Sequence, residues 1–133
     1  MIRAYIASPY TNGDKEENVN LQLDVADVLI DHNIAPYAPL LNHFQHLRNP
    51  RPERDWLKLD LIYLECCDIL IRMKPIKDEK ELPSNGADDE ETKAKELKMP
   101  VFSFHTIKEL NDFLDNNDFI EGSSEVMIQR VKE

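Results

Sequence analysis

Apolar and polar positions along the chain switch between a strand-like and a helix-like period. Ile2 to Ala7 is a short apolar run with β-branched and aromatic content, closed by Ser8-Pro9, and reads as a strand. Residues 14 to 32 read as a helix: Val19, Leu23, Ala26 and Leu29-Ile30 recur at helical spacing, and Asp14 with Glu17 makes a plausible N-terminal cap. His32-Asn33 ends it. Ile34 to Ala38 is a second strand, interrupted by Pro36. Periodicity is then lost over residues 39–53, where Pro39, Asn42, Asn49, Pro50 and Pro52 predict a long loop; loops of that length in compact domains are usually functional. A helix is expected from Glu53 to Cys66, largely buried through Trp56, Leu57, Leu59, Ile62, Tyr63 and Leu64. Asp68 to Met73 is a third strand, too continuously apolar for a one-sided sheet. Lys74 to Pro83 is a charged excursion. A helix from Gly86 to Lys98 leads through Met99-Pro100 into the strand Val101 to Phe104. Helices over 106–116 and Glu125–Val131 close the chain, with Phe119-Ile120 as a candidate fifth strand at an edge.

This βαβα order implies a doubly wound, flavodoxin- or Rossmann-like parallel sheet of four to five strands flanked by helices. A chain of 133 residues is read as a single domain, 1–133. Ligands of such folds bind beyond the carboxyl ends of the strands, where strand order reverses. The loops 8–13, 39–53 and 74–86 are therefore the ones to watch.

Charge narrows the range of partners. The formal net charge of −10 argues against a nucleic-acid polymer, whose binding rests on clustered Lys and Arg. The densest basic stretch, His46 to Arg54, holds three arginines but is broken by Pro50 and Pro52. A small anion remains compatible, since one helix N-terminus binds it without net positive charge. No run approaches the roughly 18 apolar residues of a membrane span, and the N-terminus enters a strand with none of the features of a signal peptide. The expectation is a cytoplasmic protein without membrane contact. Cys66 and Cys67 are adjacent, poorly placed for a disulfide, and read as small buried hydrophobes. His43 and His46 lack a third nearby ligand, so neither metal nor cofactor is called for.

Candidate chemistry concentrates in Ser84-Asn85-Gly86-Ala87-Asp88-Asp89-Glu90, which follows a strand and opens a helix. Gly86 would let backbone approach a ligand, Ser84 offers a cap or an anion contact, and Glu90 would face the cleft if Gly86 does. Read alone, the segment is first of all a capped helix with acidic residues in its first turn. Asp60 lies in the helix before the third strand, either beside buried neighbours or facing solvent. Tyr5, inside an apolar strand, reads on its own as core.

Taken together these segments resemble the nucleoside 2-deoxyribosyltransferase superfamily, which includes the 2′-deoxynucleoside 5′-monophosphate N-glycosidases. YIASPYTNGD is similar to the family's first strand and turn. Asp60 and Asp68 match its pair of aspartates eight apart, and Ser84, Gly86, Glu90 and Ala94 match S-x-G-x3-E-x3-A. Met99-Pro100-Val101 resembles its entry to the fourth strand, and the likeness spans about residues 2 to 104. Asn42 to Phe44 and Asp55 to Leu57 resemble segments of small uncharacterised members.

The resemblance implies cleavage of the N-glycosidic bond of a nucleoside or nucleotide. Glu90 would be the nucleophile, Tyr5 would hold its carboxylate, and Asp60 would assist at the base or sugar. Ser8, Pro9, Thr11, His43, Trp56, Ser84 and Gly86 are the expected substrate contacts. Ser84 stands where the family's monophosphate hydrolases carry Ser and its nucleoside transferases an acid, which leans towards a 5′-monophosphate. The first-loop arginine of those hydrolases is missing here, with Thr11 near its place, and Asp89 and Glu91 add negative charge. The family also implies a homodimer or larger, with a residue between Asn116 and Gln129, such as Asn117, Ser123 or Ser124, completing a neighbour's site.

Overall fold

The structure is a computed structural model that describes residues 1–121 and 126–130. Its centre is a four-stranded parallel sheet in the order β2-β1-β3-β6. The strands are β1 (Arg3–Ala7), β2 (Ala35–Tyr37), β3 (Ile69–Met73) and β6 (Val101–Phe104). β1 and β3 are buried almost throughout, as the unbroken apolar runs predict. β2 is an edge strand, which is why Pro36 is tolerated opposite Ala4.

Alternation along β1 and β3 divides the core in two. Ala4, Ile6, Ile69, Ile71 and Met73 face α1 (Lys15–Asp31) and α5 (Ile107–Asn116), meeting Val25, Leu29, Leu110 and Leu114. Tyr5, Ala7 and Leu70 face α3 (Glu53–Leu64) and α4 (Asn85–Glu96), meeting Leu64, Ala87 and Ala94. Helices thus cover both faces, and the doubly wound class holds with four strands in the main sheet. The chain runs from central β1 out to β2 and returns on β1's other side as β3, so strand order reverses between β1 and β3. Among the described residues no helix is long and apolar enough to cross a membrane.

Caps follow the sequence. Asp14 accepts from the Glu17 N–H at 3.0 Å, Ser84 from Ala87 at 3.1 Å and Thr106 from Glu109 at 3.1 Å.

Several expectations are corrected. The presumed loop over 39–53 contains a 3-10 turn (Pro39–Leu41) and a seven-residue helix, α2 (Asn42–Arg48). Two turns are too short to show a period, and α2 buries no residue. The helix α3 is only partly buried: Leu64 is buried, whereas Leu59, Ile62 and Tyr63 are exposed. Cys66 is exposed and Cys67 half-buried, because the chain has already left that helix. Ile30 is exposed too; the inward stripe of α1 is Asn18, Val19, Gln22, Val25, Ala26 and Leu29. The charged excursion carries a small hairpin, β4 (Ile76–Lys77) and β5 (Lys80–Glu81), turned by Asp78 and Glu79 at φ 52° and 65°.

The C-terminus differs most. Val126–Arg130 is a strand, β8, instead of a helix, and it pairs antiparallel with β7 (Asn117–Glu121) apart from the main sheet. A short apolar run does not distinguish the two periods, and pairing with β7 decides it. Phe119 anchors β7 on the core through Phe102 and Phe113. Asn117 lies in β7, while Ser123 and Ser124 lie outside the described residues.

Candidate active site

A cleft of about 200 Å³ opens at the carboxyl ends of β1 and β3, between α3 and α4. The first loop forms one wall. Asn18, buried on α1, donates to the carbonyls of Tyr10 (2.9 Å) and Asn12 (2.7 Å), fixing the turn after Pro9. Asn12 donates in turn to the Pro83 carbonyl at 2.7 Å, joining this loop to the approach to α4. Gly13 (φ 80°) needs its glycine: a Cβ there would be strained and would meet Leu82 at 3.3 Å.

At the floor is Glu90. It projects from the second turn of α4 towards the sheet, 6% exposed, and accepts a short hydrogen bond from the hydroxyl of fully buried Tyr5. Asp60 lines the same cleft from α3 and accepts from the Asn42 side-chain amide at 3.3 Å. Burial pushes Asp60 up to about 7. Burial also pushes Glu90 up to about 8, against the Tyr5 hydrogen bond, with Asp60 adding to the rise and the Arg72 charge opposing it. Tyr5 is itself driven far upward, first by burial and then by Glu90 and Asp60, so it stays a proton donor at any ordinary pH. Two carboxyls displaced upward beside one cavity titrate as a pair at and just above neutrality.

Of the other expected contacts, Ser8, Thr11, Trp56, Ser84 and Gly86 line the cleft. Pro9 is buried behind it and serves the turn. His43 borders an adjoining recess that shares Tyr10, Leu40, Trp56 and Asp60 with the cleft, and its Nδ1 is bonded to the Tyr10 hydroxyl. Nδ1 of His46 accepts from the Trp56 indole at 2.9 Å and the Arg51 N–H at 3.2 Å. These histidines are thus spent on aromatic neighbours, and no group of three or more His, Cys, Asp or Glu among the described residues could hold a metal. Asp68, the other half of the aspartate pair, lies at the opposite end of β3. It accepts from the Arg3 backbone (2.8 Å) and faces its guanidinium (3.2 Å); burial raises it, but the hydrogen bonds and charge of Arg3 together outweigh that and hold it below the usual carboxylate range.

Three site residues escaped the sequence reading. Gln22, fully buried, donates to the Ser8 hydroxyl (2.8 Å) and the Ile6 carbonyl (3.3 Å) and accepts from Leu40 N–H (2.8 Å), tying three parts of the wall together. Its signal was available: Asn18 and Gln22 fall on the apolar stripe of α1, where a polar residue must find buried partners. Glu53 adds a third carboxylate beside Gly86; a Cβ added there would meet its Oε1 at 3.6 Å. Arg72, on β3, is 3% exposed and looked like one charge in an apolar strand.

Residues 3–104 match the family described as Domain of unknown function (DUF7768), and the chain belongs to that family. No curated protein sequence matches it. Among solved structures, it is similar to a 2-deoxyribosyltransferase from Leishmania mexicana with a TM-score of 0.56 and 20% identity. That match covers 80% of this chain and 65% of that one, so the chain spans just under two thirds of that protein. It is likewise similar to a 2-deoxyribosyltransferase from Bacillus psychrosaccharolyticus, with a TM-score of 0.54 and 21% identity over 82% of this chain and 79% of that one. The likeness is one of fold.

Proposed function

We propose that this protein cleaves the N-glycosidic bond of a nucleoside or nucleoside 5′-monophosphate through a covalent glycosyl–Glu90 intermediate. The observation that carries the reading is the buried Tyr5–Glu90 hydrogen bond beneath a cleft that Asp60 also lines. The deoxyribosyltransferase names of its structural neighbours point the same way. In the form of the pair that has Glu90 ionised and the proton on Asp60, a Glu90 oxygen attacks the anomeric carbon as the carbon–nitrogen bond breaks, and the bonding pair leaves with the base. Asp60 gives that base a proton; this assistance is worth about 10²–10⁴-fold. The oxocarbenium-like charge that develops lies against the Glu90 carboxylate, the arrangement that retaining glycosidases use. Tyr5 keeps one carboxylate oxygen occupied and the other free to bond. Asp60, now ionised, then takes a proton from water attacking the same carbon, or a second base attacks there, and Glu90 is released. Trp56 and Leu40 supply the flat apolar wall suited to a nucleobase.

Charge favours the nucleoside over its monophosphate. Glu53, Asp60 and Glu90 all line the cleft, and no Lys or Arg is among its described lining residues. Ser84, which suggested a phosphate, accepts the capping hydrogen bond of α4 and keeps its O–H proton to donate, which serves a sugar hydroxyl as well as a phosphate. Exposed Leu41, Phe44, Leu47 and Ile62 on and beside α2 and α3 would suit the homodimer or larger assembly that this reading carries.

Incubation with dGMP, dCMP and the corresponding nucleosides, with released base read by chromatography, tests the proposal. Release that vanishes in Glu90→Ala is expected. Release undiminished in that variant removes the mechanism, and no release from any substrate by the wild type leaves a nucleotide-binding domain without catalysis.

A further inference from the structure

The helix that carries Glu90 is poorly held by apolar packing. Of its twelve residues only Ala87, Glu90 and Ala94 are buried, and the two apolar ones are alanines. Such small side chains fix neither the rotation of a helix about its axis nor its slide along a sheet. Both matter here, because the working carboxylate must meet Tyr5 on one side and the cleft on the other.

Polar contacts from the sheet supply the missing constraint. Arg72 lies two residues beyond Leu70 on β3, so its side chain leaves the sheet on the face that Leu70 and Tyr5 share, under α4. Its Nη1 lies 3.0 Å from Asp88 Oδ1 and 3.9 Å from Glu91 Oε1. Asp88 and Glu91 are three apart and flank Glu90 in sequence, so they form a ridge on the helix that a single guanidinium can span. Lys95 holds Glu91 from the outer side at 2.9 Å. Arg72 Nε and Nη1 and Glu91 Oε1 make no hydrogen bond despite being buried, so the guanidinium is held here by charge. A cation this deeply buried is costly unless its partners are fixed, and removal of either side leaves the other uncompensated.

We propose, building on the reading of Glu90 as nucleophile, that Arg72 is a positioning residue: by gripping Asp88 and Glu91 it sets the rotation of α4 that delivers Glu90, as a carboxylate, to Tyr5 and the cleft. Arg72 does not line the cleft and acts through the helix. The groups facing Glu90 are Tyr5 from β1, Asp60 from α3, Arg72 from β3 and Asp89 from α4 itself, with Tyr37 of β2 nearby. Arg72 is the one cation among them. Its loss is therefore expected both to loosen the carboxylate and to make it harder to ionise.

The test uses Arg72→Gln, Arg72→Lys and the double variant Asp88→Asn/Glu91→Gln, which removes both carboxylates that face Arg72. Titration of the Glu90 side-chain carbon by NMR is the first readout and needs no substrate. The midpoint is expected to rise by about one pH unit in Arg72→Gln and to stay close to wild type in Arg72→Lys. Base release is the second readout. In Arg72→Gln and in the double variant kcat is expected to fall about tenfold to a hundredfold with KM little changed, the cost of a carboxylate displaced by about 1 Å. Partial rescue is expected in Arg72→Lys. An unmoved Glu90 midpoint in folded Arg72→Gln overturns the proposal, as does unchanged kcat in the double variant. The double variant keeps Arg72 and neutralises both of its partners on α4, which keeps the test open should Arg72→Gln fail to fold. A wild type that releases no base while the Glu90 midpoint moves as stated removes the functional reading and leaves the Arg72 device standing. The converse outcome, base release with an unmoved midpoint, removes only Arg72.

Discussion

The two faces of the sheet are built on opposite principles. Towards α1 and α5 every buried strand residue is apolar, and Leu29, Leu110 and Leu114 fill the layer with interdigitated volume. Towards α3 and α4 the same strands present Tyr5 and Arg72 beside Ala7 and Leu70, the helices answer with Glu90, and the buried apolar content of those helices shrinks to Leu64 and a pair of alanines. The first face is held by excluded water, the second by directed contacts whose strength depends on protonation. A chain of this size can sustain a charged, underpacked layer because the other layer carries the stability.

Mutation can break that contrast in either direction. On the proposed chemistry the largest effect belongs to Glu90→Ala, expected to lower base release by about 10⁴-fold or more while sparing the fold, as measured by single-turnover chromatography and circular dichroism. Asp60→Asn should come next, with a loss of about 10²–10⁴-fold that shrinks for substrates whose base leaves without protonation. On the opposite face, Leu110→Ala is expected to destabilise by about 2–5 kcal/mol in urea unfolding and to leave the pH profile of base release unmoved. A variant there that shifted the profile would erase the distinction between the layers.

Stability itself should carry the mark of the charged layer. Glu90 is raised in the folded state, to about 8, because burial disfavours its ionised form. Its contribution is fully present below the unfolded value near 4.5 and is lost as pH rises through about 8. Glu90→Gln is therefore expected to be more stable than wild type at pH 9, on the order of 5 kcal/mol, and about equal to it at pH 4; paired melting curves at the two pH values check this. The smallest effect, about 1 kcal/mol, is expected for Ser84→Ala through the lost cap of α4.

The apolar layer was the more legible of the two. Apolar runs at Ile2–Ala7 and Ile69–Met73 and the stripe of α1 define it through periodicity, the property that sequence displays most directly. Glu90, Asp60 and Tyr5 emerged only through spacing and resemblance, since alone each has an ordinary reading. Arg72, Gln22 and Glu53 stayed hidden for a common reason. Their significance lies in what a different element places opposite them: α4 over Arg72, the first loop over Gln22, Gly86 beside Glu53. The hairpin β7–β8 was hidden for another, since Val126 to Ile128 satisfies a strand or a helix until a partner is present.

Trp56 has a use beyond shaping the wall. It is the sole tryptophan of the chain, it lines both the cleft and the adjoining recess, and its indole N–H is fixed on His46. Intrinsic emission from this protein therefore comes from one ring at one address. A ligand stacking there, or one that disturbs the His46 contact, writes its arrival directly into the spectrum, so occupancy can be followed without a label and without turnover.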